Sequence, residues 1–379
     1  MTNEEKGWAT LINPQPMFDI LAKANAKEIS GDYVARMEIG DTPGFRNVQI
    51  EELLKKFSTT PHRYSPSRGE SALINVLFEK EWPDIDSRYN GISIAPANFL
   101  IMASLASITS PGDVVLIPDP GFPTYELVCR FLKLKIQRYN SLPTDGELRI
   151  SNLEFFSEDK PKVIIINNPS NPIGLAYDGK SISSYLNSIV NSEVKIIIDE
   201  TYVNLVYDDV DAYIPDIDAI RIRTFSKEYC APGLRIGYCL ASNIISQKIT
   251  DFISLTISCT PKFIQLAVAE YLESSESTNF NKEIKKEMIR RFKMLKEIMP
   301  TNSLLTNPNA GFYALIKTGN AEKAFDFFLE NNVSTCPGTR FGDTTKGALR
   351  ISIAGNSNNI EKDFILLKNA YSAWQNENC

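Results

Sequence analysis

Short apolar runs recur between residues 113 and 240, and a polar segment of roughly helical length separates most of them from the next. Such runs are typical of strands that are buried on both faces of a parallel sheet and joined by crossover helices. The chain is therefore predicted to be an α/β protein with a mostly parallel central sheet flanked by helices. The runs lie at residues 114–117, 163–166, 194–198, 219–222 and 235–240.

The carboxyl ends of four of these strands lead into polar segments. In open α/β sheets, ligands bind beyond the carboxyl ends of the strands. We therefore expect four loops that are far apart in sequence to meet in one crevice. The segments lie at residues 119–122, 167–171, 199–202 and 224–227.

The chain has 379 residues, which exceeds one ordinary domain. After about residue 260 a polar helical stretch (261–299) precedes two strand-like pieces at 311–316 and 349–353. We predict a large cofactor-binding domain over residues 41–259. Residues 1–40, with a helical pattern at 16–29, and residues 260–379 are predicted to form a smaller α+β domain.

Composition excludes several classes of function. The net charge of −6 argues against a nucleic-acid partner, because such binding depends on clustered Lys and Arg. The longest apolar-leaning run, 98–108, is shorter than the ~20 residues of a membrane span. The first six residues include Glu4 and Glu5 where a secretory signal is basic, so we expect a cytoplasmic protein.

Cysteine and histidine usage narrows the chemistry further. The six cysteines are scattered without a Cys-x-x-Cys pair, which predicts buried free thiols and neither a zinc site nor a disulfide framework. His62 is the only histidine, which excludes multi-histidine metal sites. Proton transfer then falls to another group, and a buried lysine is the available candidate.

Lys227 is that lysine. It follows a predicted strand and precedes a charge-poor stretch, 230–233, so its amine is expected to enter a cleft although most lysines are solvated. A lysine amine forms a Schiff base with an aldehyde. The hydroxyls of Thr224 and Ser226 and the guanidinium of Arg235 could hold a phosphate, together with the helix start at Ala97 and Asn98. This set of groups predicts a pyridoxal 5'-phosphate (PLP) site.

Other residues supply the remaining contacts of such a cofactor. Asp199 either caps a helix or keeps the pyridine nitrogen protonated. Tyr202 and Asn171 could donate hydrogen bonds to the ring's phenolic oxygen. Phe122 is a core aromatic or stacks on the ring, and we favour stacking. Arg350 lies between apolar residues and, if buried, needs a partner such as a substrate carboxylate.

These spaced motifs together resemble the class I and II aminotransferases, PLP enzymes of fold type I, from about residue 36 to 353. The resemblance implies that Gly40 belongs to the substrate loop and that Asn171 and Arg350 contact the substrate. It also implies a homodimer in which Tyr64 reaches the phosphate in the neighbouring subunit. The chain departs from the family pattern at Pro96, Phe122 and Ile173.

The predicted activity is therefore transamination between an amino acid and a keto acid, with Lys227 as the Schiff-base lysine and the proton carrier, assisted by Asp199 and Tyr202. One alternative is another fold type I reaction: decarboxylation, β-elimination or cyclisation. A second is a PLP-binding regulatory domain without turnover. The absence of a basic N-terminal helix-turn-helix segment counts against the second alternative.

Overall fold

A computed structural model describes residues 17–42, 45–82, 90–143, 160–189, 193–355 and 359–378. The strands are β1 Ala35–Arg36, β2 Gly91–Ile94, β3 Val114–Asp119, β4 Lys135–Asn140, β5 Val163–Asn167, β6 Lys195–Asp199, β7 Ala219–Thr224, β8 Gly237–Ala241, β9 Tyr313–Lys317, β10 Val333–Ser334, β11 Cys336–Pro337 and β12 Ala348–Ser352.

Helices cover both faces of the main sheet and much of the C-terminal part. They are α1 Met17–Ile29, α2 Val48–Phe57, α3 Ser71–Glu81, α4 Ala97–Ile108, α5 Pro123–Phe131, α6 Gly179–Ile189, α7 Phe225–Glu228, α8 Asn243–Thr256, α9 Lys262–Glu273, α10 Ser275–Ile298, α11 Ala321–Glu330 and α12 Ile360–Asn378. Helix α4 has the bounds that the sequence predicts.

Seven strands form the main sheet in the order β2-β8-β7-β6-β5-β3-β4. Strands β4, β3, β5, β6 and β7 run parallel to one another, and β8 is antiparallel to both β7 and β2. The sheet is therefore mostly parallel, and the predicted α/β class is confirmed. Because β3, β5, β6 and β7 run parallel to one another, their carboxyl ends lie along one edge of the sheet.

Both faces of the central strands are buried, which explains why most of their positions are apolar. In β5, Val163 and Ile165 pack on one side of the sheet with α4 and α5. Ile164 and Ile166 point to the other side, where they pack against α6. Successive side chains alternate between the faces of a strand, so a strand covered by helices on both sides is apolar at most positions.

Within the main sheet, the sequence pattern was wrong about one strand and missed two. It treated residues 235–240 as a parallel strand, but only a short helix and a 3-10 turn lie between β7 and β8, and a parallel connection needs a longer crossover. Strand β4 was missed because it lies at the sheet edge and carries Lys135, Gln137 and Arg138 among its residues. Strand β2 has only four residues.

The N-terminal and C-terminal segments share a hydrophobic core. Strand β1 pairs in parallel with β10, and the Met37 carbonyl accepts a hydrogen bond from the Ser352 amide at 2.8 Å. Strands β11, β12 and β9 form an antiparallel sheet beside this pair. The predicted helical stretch 261–299 is divided at Ser274, whose backbone is extended, into α9 and α10.

The domain division at residues 40 and 260 stays a prediction, supported by this shared core. Among the described residues, five cysteines are free, and three of them are buried: Cys129, Cys239 and Cys336. Cys230 and Cys259 are half-buried, which differs from the predicted burial, and Cys379 lies outside the described residues. None of the described helices is both long and apolar enough to cross a membrane.

Candidate active site

A cavity of about 250 Å³ lies at the carboxyl ends of the parallel strands. It is lined by Phe122 after β3, Asn171 after β5, Asp199 at the end of β6 and Thr224 at the end of β7. The four loops thus meet in one crevice, as the strand pattern predicts. Residues of the N-terminal segment and Arg350 of β12 complete the walls.

The Asp199 carboxylate is buried at the base of this cavity, with only 5% of the residue exposed. Its Oδ2 accepts a hydrogen bond from the Tyr125 hydroxyl at 2.6 Å. Its Oδ1 accepts from the Thr201 hydroxyl at 2.6 Å and the Thr201 amide at 3.0 Å. Burial raises the Asp199 pKa, while these hydrogen bonds act in the opposite direction. The hydrogen bonds from Tyr125 and Thr201 therefore favour the charged form of Asp199, whereas its burial favours the neutral form.

Glu200 anchors the same turn from the other side. Its carboxylate pairs with Arg221 at 2.5 Å and with Arg223 at 2.8 Å, and all three side chains are nearly or fully buried. Both arginines belong to β7, the strand next to β6. The two ion pairs lower the Glu200 pKa against the effect of burial and fix the backbone that carries Asp199.

The Lys227 amine reaches into the cavity from α7. Its Nζ donates a hydrogen bond to the Gly40 carbonyl at 2.7 Å. Gly40 is required here, since a Cβ at this position would lie 1.7 Å from the Tyr313 hydroxyl oxygen. The predicted substrate-loop glycine and the predicted Schiff-base lysine therefore touch directly.

Arg350 is buried, with 3% of the residue exposed, although it carries a charge. Its Nη1 donates to the Asn171 side-chain oxygen at 3.1 Å, and its Nη2 donates to the Glu38 carbonyl at 2.5 Å. The rings of Tyr313 and Phe341 lie 4.2 and 4.7 Å from the guanidinium carbon. Its Nε is buried and has no partner within the described part of the chain. An anionic ligand would satisfy this donor.

The groups predicted to hold a phosphate also line the cavity. The hydroxyl oxygens of Thr224 and Ser226 are 2.9 Å apart, and Ser226 is held by its amide donating to Thr224 Oγ1. Arg235 lines the cavity and is exposed, with a left-handed backbone at φ 54°. Ala97 and Asn98, the first residues of α4, also line it.

The ring-contact residues are also in place. The Tyr202 hydroxyl lies 3.4 Å from that of Tyr313, and burial raises the Tyr202 pKa well above its ordinary value. Phe122 is half-buried on the cavity wall and packs edge-on against Tyr125. Tyr64 differs from all the others, since it is 85% exposed and does not line this cavity.

Sequence reasoning missed several residues of the site. Tyr125 and Thr201 hold Asp199, and Tyr313 packs on Arg350 and touches Tyr202. The apolar wall from the N-terminal segment was also missed. Thr201 could have been found from its position two residues after Asp199, where a side chain commonly bonds back to a carboxylate. The others depend on tertiary packing that no local pattern shows.

Comparison with known proteins identifies the class. The family model for class I and II aminotransferases matches residues 97–362, and the chain belongs to this family. It is 30% identical over 364 residues to a (5-formylfuran-3-yl)methyl phosphate transaminase of Methanocaldococcus jannaschii, covering 93% of this chain and 95% of the relative. It is 28% identical over 374 residues to an aspartate aminotransferase of Pyrococcus abyssi, with 93% and 94% covered.

A solved aromatic aminotransferase from Pyrococcus horikoshii superposes with a TM-score of 0.82 at 25% identity, over 95% of this chain and 99% of that one. The predicted family, fold type I and aminotransferase activity are thus confirmed. The protein is a PLP-dependent aminotransferase, and its substrates are an amino acid and a keto acid. The cavity fits PLP, because it presents one amine, one buried carboxylate and a group of hydroxyl and guanidinium donors.

We expect Tyr125→Phe to weaken PLP binding about tenfold, which is the effect of losing one hydrogen bond to a charged group. Without this donor the Asp199 pKa rises further. Because a protonated pyridine nitrogen needs the ionised carboxylate, the acid limb of PLP binding should move to higher pH. The PLP dissociation constant, measured by fluorescence titration from pH 5 to 9, checks both effects.

Tyr139→Phe is the matched control, since Tyr139 is equally buried and donates to the Ile165 carbonyl at 3.0 Å. It should lose a similar amount of stability and bind PLP normally. Equal PLP affinities in the two variants would contradict the role given to Tyr125.

Proposed function

We propose that this chain transfers the amino group of an α-amino acid to a keto acid, with Lys227 as the covalent attachment point of PLP. The observation that carries the proposal is the position of Lys227, with its Nζ free of any ion pair among the described residues and inside the cavity that holds Asp199. When bound, PLP supplies an electron-accepting ring that stabilises the substrate's α-carbanion.

The residues around the cavity then have distinct tasks. Arg350 binds the substrate carboxylate, with the unpartnered Nε as the donor that the ligand satisfies, and Asn171 holds the guanidinium in place. With PLP bound, the Lys227 Nζ would take the α-proton of the substrate. Asp199, whose charged form is favoured by the hydrogen bonds from Tyr125 and Thr201, would pair with the pyridine nitrogen of bound PLP.

The remaining contacts to the cofactor are assigned to other residues that line the cavity. Thr224, Ser226 and Arg235 bind the phosphate with the amides at the start of α4, where Ala97 and Asn98 lie. Tyr202 and Asn171 donate to the phenolic oxygen, and Phe122 stacks on the ring. Gly40 carries the backbone of the substrate loop.

Lys227→Ala should abolish turnover and the visible absorbance of covalently bound PLP, because no second amine among the described residues lines the cavity. Lys195→Ala is the control: Lys195 is also part-exposed, at 35%, and lies at the opposite end of the strand that carries Asp199. A Lys227→Ala protein that keeps both properties would refute the assignment. Keto acid formed in equal amount with the new amino acid distinguishes transamination from decarboxylation, β-elimination and cyclisation.

Arg350→Lys should raise the KM for amino acids about tenfold or more, since lysine keeps the charge but loses the forked geometry. The measurement compares an amino acid with the amine that lacks its carboxylate. The preference for the amino acid should fall in Arg350→Lys and stay unchanged in Arg340→Lys, whose side chain is 38% exposed beside Glu322. An unchanged preference in Arg350→Lys would rule out the carboxylate contact.

We also propose a homodimer in which Tyr64 reaches the phosphate site of the neighbouring subunit. The support is that Tyr64 is 85% exposed and does not line the cavity of its own chain, so its side chain is free to contact a second subunit. Sedimentation analysis should give twice the 42.5 kDa chain mass; a monomer that turns over at full rate would exclude this arrangement. The cytoplasmic location stays a prediction.

A further inference from the structure

The loop between β11 and β12 is held against the end of β3 by one buried carboxylate. Asp119 is the last residue of β3, and only 6% of it is exposed. Its Oδ1 accepts hydrogen bonds from the Thr344 hydroxyl at 2.7 Å and the Thr344 amide at 3.1 Å. Its Oδ2 accepts from the Asp343 amide at 3.1 Å. The end of a main-sheet strand is thus joined directly to the loop that precedes Arg350.

The backbone at residue 342 allows this close approach. Gly342 has a positive φ of 147°, and a Cβ at this position would lie 2.2 Å from Asp119 Oδ1. A side chain here would therefore push the carboxylate away from the loop amides, and the backbone conformation itself favours glycine. The contact depends on residues of both segments.

The same loop packs on the arginine that is proposed to bind the substrate carboxylate. Phe341 directly precedes Gly342, and its buried ring lies 4.7 Å from the Arg350 guanidinium carbon. The Phe341 carbonyl accepts a hydrogen bond from the Gly121 amide at 2.8 Å, which is a second bond between the loop and the segment after β3. A shift of the loop would therefore also shift a ring that packs on Arg350.

Residues 119–122 also carry a proposed contact to the cofactor. Phe122 lines the cavity and is assigned to stack on the PLP ring. This segment is fixed to the chain beyond β4, because the Ser141 hydroxyl donates to the Pro120 carbonyl at 2.6 Å and the Ser141 amide donates to the Asp119 carbonyl at 2.9 Å. One short segment therefore supports both the ring contact and the loop that packs on Arg350.

We propose that Asp119 is a positioning residue, which fixes Arg350 relative to the PLP ring by holding the loop that precedes β12. This role rests on the proposed function, because it takes Arg350 as the contact of the substrate carboxylate. Asp119 does not line the cavity, so it acts through the loop. Such alignment matters, since a misplacement of about 1 Å can cost on the order of 100-fold in rate.

Asp119→Asn breaks this contact with little change in volume. The amides of Asp343 and Thr344 donate to different carboxylate oxygens, so either orientation of the asparagine places its NH2 group against a backbone N–H donor. Asp178→Asn is the matched control. The exposed Asp178 accepts the same pair of donors, the amide and the hydroxyl of Ser181, at 2.8 and 2.7 Å at the start of α6.

Two ligands without an α-proton measure the effect on the PLP-loaded full-length enzyme. 2-Methylalanine carries a carboxylate, and 2-methylalaninamide replaces it with a neutral group of similar size. We expect Asp119→Asn to weaken 2-methylalanine about tenfold and to leave the affinities for the amide and for PLP unchanged, because only the position of Arg350 is altered. Asp178→Asn should change none of the three. Titration of the visible absorbance of bound PLP gives the ligand affinities, and an equal loss for both ligands, or no loss, would overturn the proposal.

Gly342→Ala disturbs the same contact from the loop. Its Cβ would displace the Asp119 carboxylate, so we expect the same tenfold loss for 2-methylalanine. Because both variants break one contact, the double variant should lose no more than about tenfold, whereas independent effects would multiply to about a hundredfold and contradict the proposal. Gly112→Ala is the control for backbone strain, since Gly112 also has a positive φ, 93°, and its Cβ would meet no atom within 4 Å.

Hydrogen exchange separates a failure of this role from a failure of the proposed function. In Asp119→Asn, exchange should become faster at the amides of residues 343 and 344 and in β12, and stay unchanged in β6 and β7. If β12 responds but the unaltered enzyme binds 2-methylalanine and its amide equally, the positioning of Arg350 is supported and its contact with the substrate carboxylate is refuted. If the unaltered enzyme prefers 2-methylalanine but β12 does not respond, the role of Asp119 is refuted and the proposed function stands.

Discussion

The site depends on keeping a carboxylate charged at the buried end of β6. Burial alone would neutralise Asp199, and the hydroxyls of Tyr125 and Thr201 oppose that effect. The next residue, Glu200, is held by two buried arginines of β7, so the turn cannot rotate the carboxylate away. Removing one partner from such a cluster leaves an uncompensated buried charge. A substitution that disturbs the sheet or the turn after β6 should therefore also disturb the cofactor site.

The sequence predicts those parts of the fold whose burial is complete. Strands β3, β5 and β6 are mostly apolar because helices cover both sheet faces, and this leaves a local signal. The polar edge strand β4 leaves no such signal in the sequence. The antiparallel direction of β8 depends on the connection from β7, whose shape is set by tertiary packing. The roles at the ends of the strands were readable because Lys227 and Asp199 sit in short, spaced motifs.

The partners of those residues were less predictable. Tyr125 is one of fifteen tyrosines, and only the sheet order brings its hydroxyl to a residue 74 positions later. The apolar wall that α1 contributes to the cavity also leaves no local signal in the sequence, because Met17 and Phe18 would be equally at home in any amphipathic helix. The residues that react with or bind the cofactor thus stand in recognisable sequence motifs, whereas the residues that position them can be identified only from the packed structure.

Ala35 pairs with Val333, so the first strand in the described part of the chain can pair only after the residues around 333 have been synthesised. The strands of the main sheet all lie between residues 91 and 241, and they can assemble while the ribosome is still making the rest. Residues 17–40 and Arg350 can close over the crevice only after synthesis is nearly complete. During translation, the residues that bind the cofactor can therefore assemble first, and the residues that bind the substrate can join them last.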